Sequence, residues 1–254
     1  MFRVIIPARY AATRLPGKLL LPLAGKPIMQ WVYERASAAG ALEVLIATDD
    51  DLIVSAAHAF GAEVVMTAAT HASGTDRIAE VARARGWPPE SVVVNVQGDE
   101  PLMPTALIRQ VAAMLATHAD ADIATLASPI TVLGEFLDPN TVKVVADRAG
   151  RALYFSRAPI PWNRDGAPTG LASQRDLTGA RRHIGIYAYR VAALLRLAAL
   201  PVSALENSEK LEQLRALEAG FDIRVGEAVE RPGPDVNTLA DLARVRAQIA
   251  PKQG

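Results

Sequence analysis

The sequence predicts an α/β fold: a mostly parallel central sheet covered by helices, with a smaller, largely antiparallel lobe. Three observations predict it. Short apolar runs alternate with amphipathic stretches of helical length through residues 1–121, the pattern of successive βαβ units. The run Val92-Val93-Val94 is β-branched without alternation, as a strand buried on both faces requires. Beyond residue 121 the strand-like segments follow one another with mostly loops between them, which suits antiparallel pairing.

In order, the pattern reads as a strand at Val4-Ile5-Ile6, a helix over 29–39, a strand over 43–48, a helix over 50–60, a strand over 63–66 and a helix over 75–85. The strand from Val92 and a helix over 104–118 complete the first half. Strand-like segments then fall at 122–129, 141–147, 152–155 and 183–190, with a polar, glycine-bearing and mobile stretch expected at 163–179. Ser203 and Glu206 form a capping-box pattern ahead of a helix over 209–219, a strand returns at 222–229, and Thr238 with Asp241 opens a last amphipathic helix. The chain thus reads as a single α/β domain, its core made of 1–121 and 191–254 and its lobe of 122–190.

Composition narrows the class. The 27 basic and 27 acidic residues cancel, which argues against nucleic acid as a partner. The absence of cysteine excludes disulfides, a thiol nucleophile and thiolate zinc sites, and is compatible with a cytoplasmic location. No apolar run approaches the roughly 20 residues of a membrane span and no leader precedes the first strand, so a soluble protein without a membrane partner is expected. G-x-G-x-x-G, the P-loop, H-E-x-x-H and G-x-S-x-G are all missing, so a phosphate cradle here would be built from side-chain cations and backbone amides.

The functional signal lies at two strand ends. After the first strand a loop carries Arg9, Arg14 and Lys18, with Pro16-Gly17 fixing a turn before the last of them. Ligands of open α/β sheets settle beyond the carboxyl ends of the strands, and three cations match a triphosphate better than a single carboxylate. Ordinary surface cations of a βα loop are the competing reading. The Val92 strand ends in Gln97-Gly98-Asp99-Glu100-Pro101 at the same sheet edge. A carboxylate beside a polyphosphate calls for a divalent cation, so Asp99 is the first candidate ligand for Mg²⁺; helix capping suits Glu100 or Thr105 better.

The segments IIPARYAATRLPGK (5–18), SGTDR (73–77), NVQGDEP (95–101), ALYFSRAPIPW (152–162), RHIGIYAYR (182–190) and LEQLRAL (211–217) together resemble the 3-deoxy-manno-octulosonate cytidylyltransferases, the CMP-Kdo synthetases, over nearly the whole chain. The resemblance implies a sheet of the nucleotide-diphospho-sugar transferase type and transfer of CMP from CTP to the sugar acid Kdo, releasing pyrophosphate, for lipopolysaccharide synthesis. It further implies Mg²⁺ as cofactor, CTP and Kdo as small-molecule partners, and a homodimer in which the 122–190 lobe serves substrate binding and pairing. Arg14, Lys18 and Asp99 would be catalytic, the two cations stabilising the departing pyrophosphate. Arg9 would reach the α-phosphate or the sugar carboxylate, Ser73 and Arg77 the nucleotide, and Gln97 the cytosine or ribose. Arg157, His183, Tyr187, Glu212 and Gln213 would surround Kdo, with Arg157 on its carboxylate. Glu212 and Gln213 point about 100° apart on a helix, so both line a pocket only if it lies between their directions. The bland alternatives are a solvated Lys18, an exposed first-turn Arg77, a Gln97 that satisfies a neighbouring amide and a Tyr187 in the core.

One position departs from the family pattern. A second metal-binding aspartate is usual in a Val-Asp-Thr segment before the last helix, and this chain has Val236-Asn237-Thr238. Asn237 keeps an oxygen donor but loses a charge. Asp235 lies two residues earlier, on the same face of an extended segment and roughly 6–7 Å away. The expected metal set is therefore Asp99, Asn237 and Asp235, binding more weakly than two aspartates. Other readings are a cytidylyltransferase for 8-amino-Kdo or a sialic acid, a sugar-nucleotide glycosyltransferase, and a catalytically silent nucleotide-binding protein.

Overall fold

The computed structural model describes residues 1–11, 15–167 and 169–249. Strand β1 (Phe2–Ala8) leads through a 3₁₀ turn at Lys18–Leu20 and the short hairpin β2 (Pro22–Leu23) and β3 (Lys26–Pro27) into α1 (Ile28–Ser37). The alternation continues through β4 (Val44–Thr48), α2 (Asp51–Ala59), β5 (Glu63–Met66), α3 (Gly74–Ala84), β6 (Val92–Asn95) and α4 (Thr105–Thr117). There follow β7 (Ile123–Pro129), α5 (Leu133–Leu137), β8 (Lys143–Ala146), β9 (Ala152–Ser156), β10 (Arg181–Arg190) and α6 (Val191–Ala198). The chain ends in α7 (Ala204–Glu209), α8 (Gln213–Glu218), β11 (Ile223–Glu227) and α9 (Leu239–Ile249).

The central sheet runs β11-β7-β10-β6-β1-β4-β5. Every neighbouring pair in it is parallel except those made by β10, which is antiparallel to both β6 and β7. The period-2 alternation of a strand sorts the core into two layers. Val4, Ile6, Ile46 and Val94 face the side covered by α1, α2 and α4, whereas Ile5, Leu45 and Val93 face the side covered by α3, α6 and α8. A smaller cluster of Leu23, Ile28, Val236, Leu242 and Val245 docks α9 against the β2–β3 corner.

The structure draws the lobe more narrowly than 122–190. β7 and β10 lie in the middle of the central sheet, and only β8 and β9, paired with each other and touching β10 at Arg182, project from it. Sequence cannot distinguish an antiparallel strand that re-enters a parallel sheet from one that leaves it, because apolar stretches such as 123–128 and 186–189 are buried either way.

Where one helix was expected over 209–219, the chain forms α7, which ends where that range begins, and α8 within it. The Ser203 capping box starts α7, and the chain then breaks at Lys210, whose φ of 54° is left-handed. Arg215 bridges the break with a two-pronged pair to Glu206, both contacts at 2.6 Å. The break sends Leu211 and Leu214 into the core and turns Glu212 towards α3. The 163–179 stretch closes on itself through Asn163, which donates to Asp176 at 2.6 Å and accepts from Gly166 N at 3.0 Å.

Candidate active site

β1 and β6 run side by side, Ile5 opposite Asn95, so the segments leaving their carboxyl ends are neighbours. They floor a cavity of about 320 Å³ whose walls include Arg9, Lys18, Ser73, Gln97, Gly98 and Asp99. Gly98 lets the two strand ends approach closely: a Cβ there would lie 3.1 Å from the Pro7 carbonyl oxygen and 3.2 Å from Leu19. Gly17, at φ 68°, closes the loop by donating to the Tyr10 carbonyl at 2.8 Å and delivers Lys18 to the cavity. Arg14 lies outside the described residues.

The far wall is the N-terminus of α3. Ser73 caps it, accepting from Asp76 N at 3.1 Å while Asp76 accepts from Ser73 N, and the helix presents its amides and positive dipole end to the cavity. Arg9 reaches across and donates to the carbonyls of His71 at 2.8 Å and Ala72 at 3.2 Å, holding that wall in place.

Lys18 Nζ lies 2.5 Å from Asp99 Oδ2 and 3.1 Å from Asn237 Oδ1. Asn237 is brought there by the backbone, because Val236 N donates to the Asp99 carbonyl at 2.9 Å. Asp235 accepts from Asn237 Nδ2, which leaves the amide oxygen for Lys18. Asp235 therefore orients Asn237 in this structure. Glu100 completes the acidic group; burial, with Asp99 and Asp235 beside it, pushes its carboxyl up to about 8.

A second cavity, of about 70 Å³, adjoins the first through Gln97 and is walled by Thr75, Asn95, Tyr187, Tyr189, Glu212 and Gln213 among others. Glu212 and Gln213 both face it, as it lies between their directions. Glu212 accepts from Ser73 Oγ at 2.8 Å and Thr75 Oγ1 at 3.0 Å, and burial raises its carboxyl above the usual range. The Tyr187 hydroxyl is buried without a partner among the described residues, at the edge of this cavity.

Three expected residues stand elsewhere. His183 lies behind Tyr187, edge-on to Phe155 at 5.1 Å between ring centroids. Burial, with Arg182 adding to it, lowers its imidazole to about 3, so it is neutral and donates to Thr125 while the Thr125 hydroxyl donates to a β10 carbonyl. Arg157, at the end of β9, lines neither cavity; its guanidinium donates to the carbonyls of Glu209 at 2.7 Å and Pro139 at 2.9 Å. Arg77 is fully buried on the sheet-facing side of α3, paired with Asp49 at 3.0 Å and bonded to Thr67, groups that follow β4 and β5. Those two partners hold its guanidinium under the sheet edge, and Arg77 lines neither cavity.

Thr75, Asn95 and Tyr189 were not expected in the site. Tyr189 had a signal, since a strand places it on the same face as Tyr187. Thr75 had none until α8 turned Glu212 towards it.

The chain matches the cytidylyltransferase family over residues 3–223. It is 56% identical over 244 residues to the 3-deoxy-manno-octulosonate cytidylyltransferase of Thioalkalivibrio sulfidiphilus, covering 96% of this chain and 97% of the relative. It is 57% identical over 249 residues to the protein of that name from Cellvibrio japonicus, covering 98% of each. Among solved structures it is similar to a CMP:2-keto-3-deoxy-manno-octonic acid synthetase complexed with CTP, with TM-score 0.88, 42% identity and coverage of 98% of this chain and 99% of that one. A 4-diphosphocytidyl-2C-methyl-D-erythritol synthase from Anaerococcus prevotii shares the fold at TM-score 0.61 and 15% identity, covering 97% of each chain.

Proposed function

Because the chain belongs to the cytidylyltransferase family, we propose that it transfers CMP from CTP to 3-deoxy-D-manno-octulosonate, yielding CMP-Kdo and pyrophosphate. The observation that carries this reading is the pair of adjoining cavities that share Gln97. One is walled by cations and helix amides and is of nucleotide size; the other, smaller, presents hydroxyls, amides and a carboxylate that can bond hydroxyls of a sugar entering from the first.

In the reaction the anomeric hydroxyl oxygen of Kdo gives up its proton to solvent and forms a bond to the α-phosphorus as the bond from that phosphorus to the oxygen bridging the β-phosphate breaks, that oxygen leaving with pyrophosphate. Positioning and charge neutralisation supply most of the acceleration in such transfers. The α3 amides behind Ser73 and the Lys18 ammonium meet the triphosphate, Lys18 holding charge as pyrophosphate departs. Arg9 keeps the 71–72 wall closed on the nucleotide, and Gln97 stands at the junction of the two substrates. Glu212 and Gln213 hold sugar hydroxyls in the second cavity, with the Tyr187 hydroxyl ready to complete the set.

The residues present fit Mg²⁺. Among the described residues no three acidic or histidine side chains converge as a metal cage. Asp99 and Asn237 instead offer two oxygens, already converging on one ammonium, and Mg²⁺ commonly takes one or two protein oxygens and fills its shell with phosphate oxygens and water. When bound it neutralises phosphate charge and orients the triphosphate.

The family resemblance also supports a cytoplasmic enzyme serving lipopolysaccharide synthesis and a homodimer, which a solution mass of twice 27.0 kDa tests. Among the described residues no helix is long and apolar enough to cross a membrane. The activity is tested by pyrophosphate release with Mg²⁺ and Kdo, offering CTP, UTP, ATP and GTP in parallel. Release with CTP is expected; release with CTP only when 8-amino-Kdo or a sialic acid replaces Kdo would reassign the sugar, and CTP binding without turnover would refute catalysis.

A further inference from the structure

Lys18 does more than line the nucleotide cavity. Its ammonium touches both oxygens that a dication would need, Asp99 Oδ2 and Asn237 Oδ1, and its side chain is only 13% exposed. The contact is held from both sides. The Gly17 turn aims Lys18 inward, and Asp235 takes the Asn237 amide nitrogen so that the oxygen faces the lysine. Arg9, the nearest other described cation of the loop, is engaged with carbonyls on the opposite wall.

We propose that Lys18 is a built-in counter-ion of the metal site: it excludes a free dication and leaves Asp99 only when a triphosphate draws its ammonium away, so that metal and nucleotide enter together. A dication approaching Asp99 in the nucleotide-free protein meets a positive charge already in contact with its ligands, and like charges a few ångströms apart in a half-buried place repel strongly. The triphosphate reverses this balance. It offers the lysine a stronger anion within reach of its flexible four-carbon stem, since the same side chain already borders the cavity, and it brings oxygens that complete the metal's shell. Positive coupling between the two ligands follows, because each binds the arrangement the other favours. Asn237 sharpens the effect: of the two oxygen donors that meet Lys18 only Asp99 is a carboxylate, so one ammonium matches its charge.

This inference rests on the assignment of Asp99 and Asn237 as metal ligands, and the test separates the two. Mn²⁺ serves as the probe, its free concentration read by electron paramagnetic resonance in the absence of nucleotide. The variants are Lys18→Met, Lys18→Gln, Asp99→Asn and the Lys18→Met/Asp99→Asn double variant, each checked for a folded state by circular dichroism. Lys18→Met and Lys18→Gln are expected to bind Mn²⁺ about tenfold or more tightly than the wild type. The double variant is expected to lose that gain. Lysine variants that bind no more tightly than the wild type, while Asp99→Asn weakens binding, would overturn the counter-ion role and leave the metal site standing. A gain in Lys18→Met that persists in the double variant would overturn the Asp99 assignment, and the proposal with it.

Discussion

Replacing Lys143 by methionine tests how a buried cation holds the small lobe. Lys143 is fully buried at the start of β8 and makes no ion pair among the described residues; its Nζ donates to the carbonyls of Asp138 at 2.9 Å, Thr141 at 2.5 Å and Arg157 at 2.7 Å. Hydrogen bonds to a charged donor contribute about 1.5–3 kcal/mol each. Burying the ammonium costs several kcal/mol in return, and that cost lowers its pKa. Methionine keeps the stem's volume and strands three carbonyls, so the net loss is about 3–5 kcal/mol. At 2–4 °C per kcal/mol for a chain near this size, Tm falls by roughly 6–20 °C. Scanning calorimetry measures it. Because none of the three carbonyls belongs to a residue that lines either cavity, KM for Kdo and for CTP are both expected to stay nearly unchanged at temperatures where the variant is folded. A Tm within 1 °C of the wild type would refute the reasoning, since it would mean that water or a rearranged loop satisfies those carbonyls at no cost.

Asn237→Asp is expected to lower the Mg²⁺ concentration for half-maximal rate by about tenfold through the added negative charge, while the metal-free protein loses stability because the new carboxylate faces Asp235; parallel Mg²⁺ titrations of rate and Tm check both. His183 is neutral when folded, titrating about 3, and protonates near 6.5 when unfolded, so the unfolded state binds the extra proton between those values. Stability should therefore fall as pH drops from 6.5 towards 3, by up to about 1.4 kcal/mol per unit from this group, and urea unfolding of His183→Phe should show a shallower slope. Ser73→Ala removes the α3 cap and the proton given to Glu212, costing about 1–2 kcal/mol, and Ser73→Thr should restore most of it in thermal melts.

The two strand-end motifs were legible because their chemistry is local. A β-branched run ending in Gln97-Gly98-Asp99 can place its carboxylate only at the sheet edge, and parallel neighbours bring Lys18 to the same edge. Glu212 and Gln213 were legible only through the family resemblance, and their shared cavity depended on the break at Lys210. Arg77 misled for the opposite reason: an arginine in a first helical turn is ordinarily solvated, and its burial depends on Asp49 and Thr67, which lie at the ends of other strands.

By itself the sequence determined the α/β class, the alternation of the first half and the polar strand tips, since these follow from periodicity and from residue type at a fixed point along a strand. Only the tertiary structure decided that β7 and β10 belong to the central sheet, that Lys143 is caged by carbonyls, that Arg157 and His183 turn from the cavities, and that Lys18 spans Asp99 and Asn237. Apart from the Lys143 cage, whose carbonyls lie within 14 positions, these join residues distant in the chain; Lys18 and Asn237 are 219 positions apart. Pairings of that kind are settled by the packing of whole elements, here the docking of α9 and the 235–238 segment on the β2–β3 corner, and no local propensity encodes them.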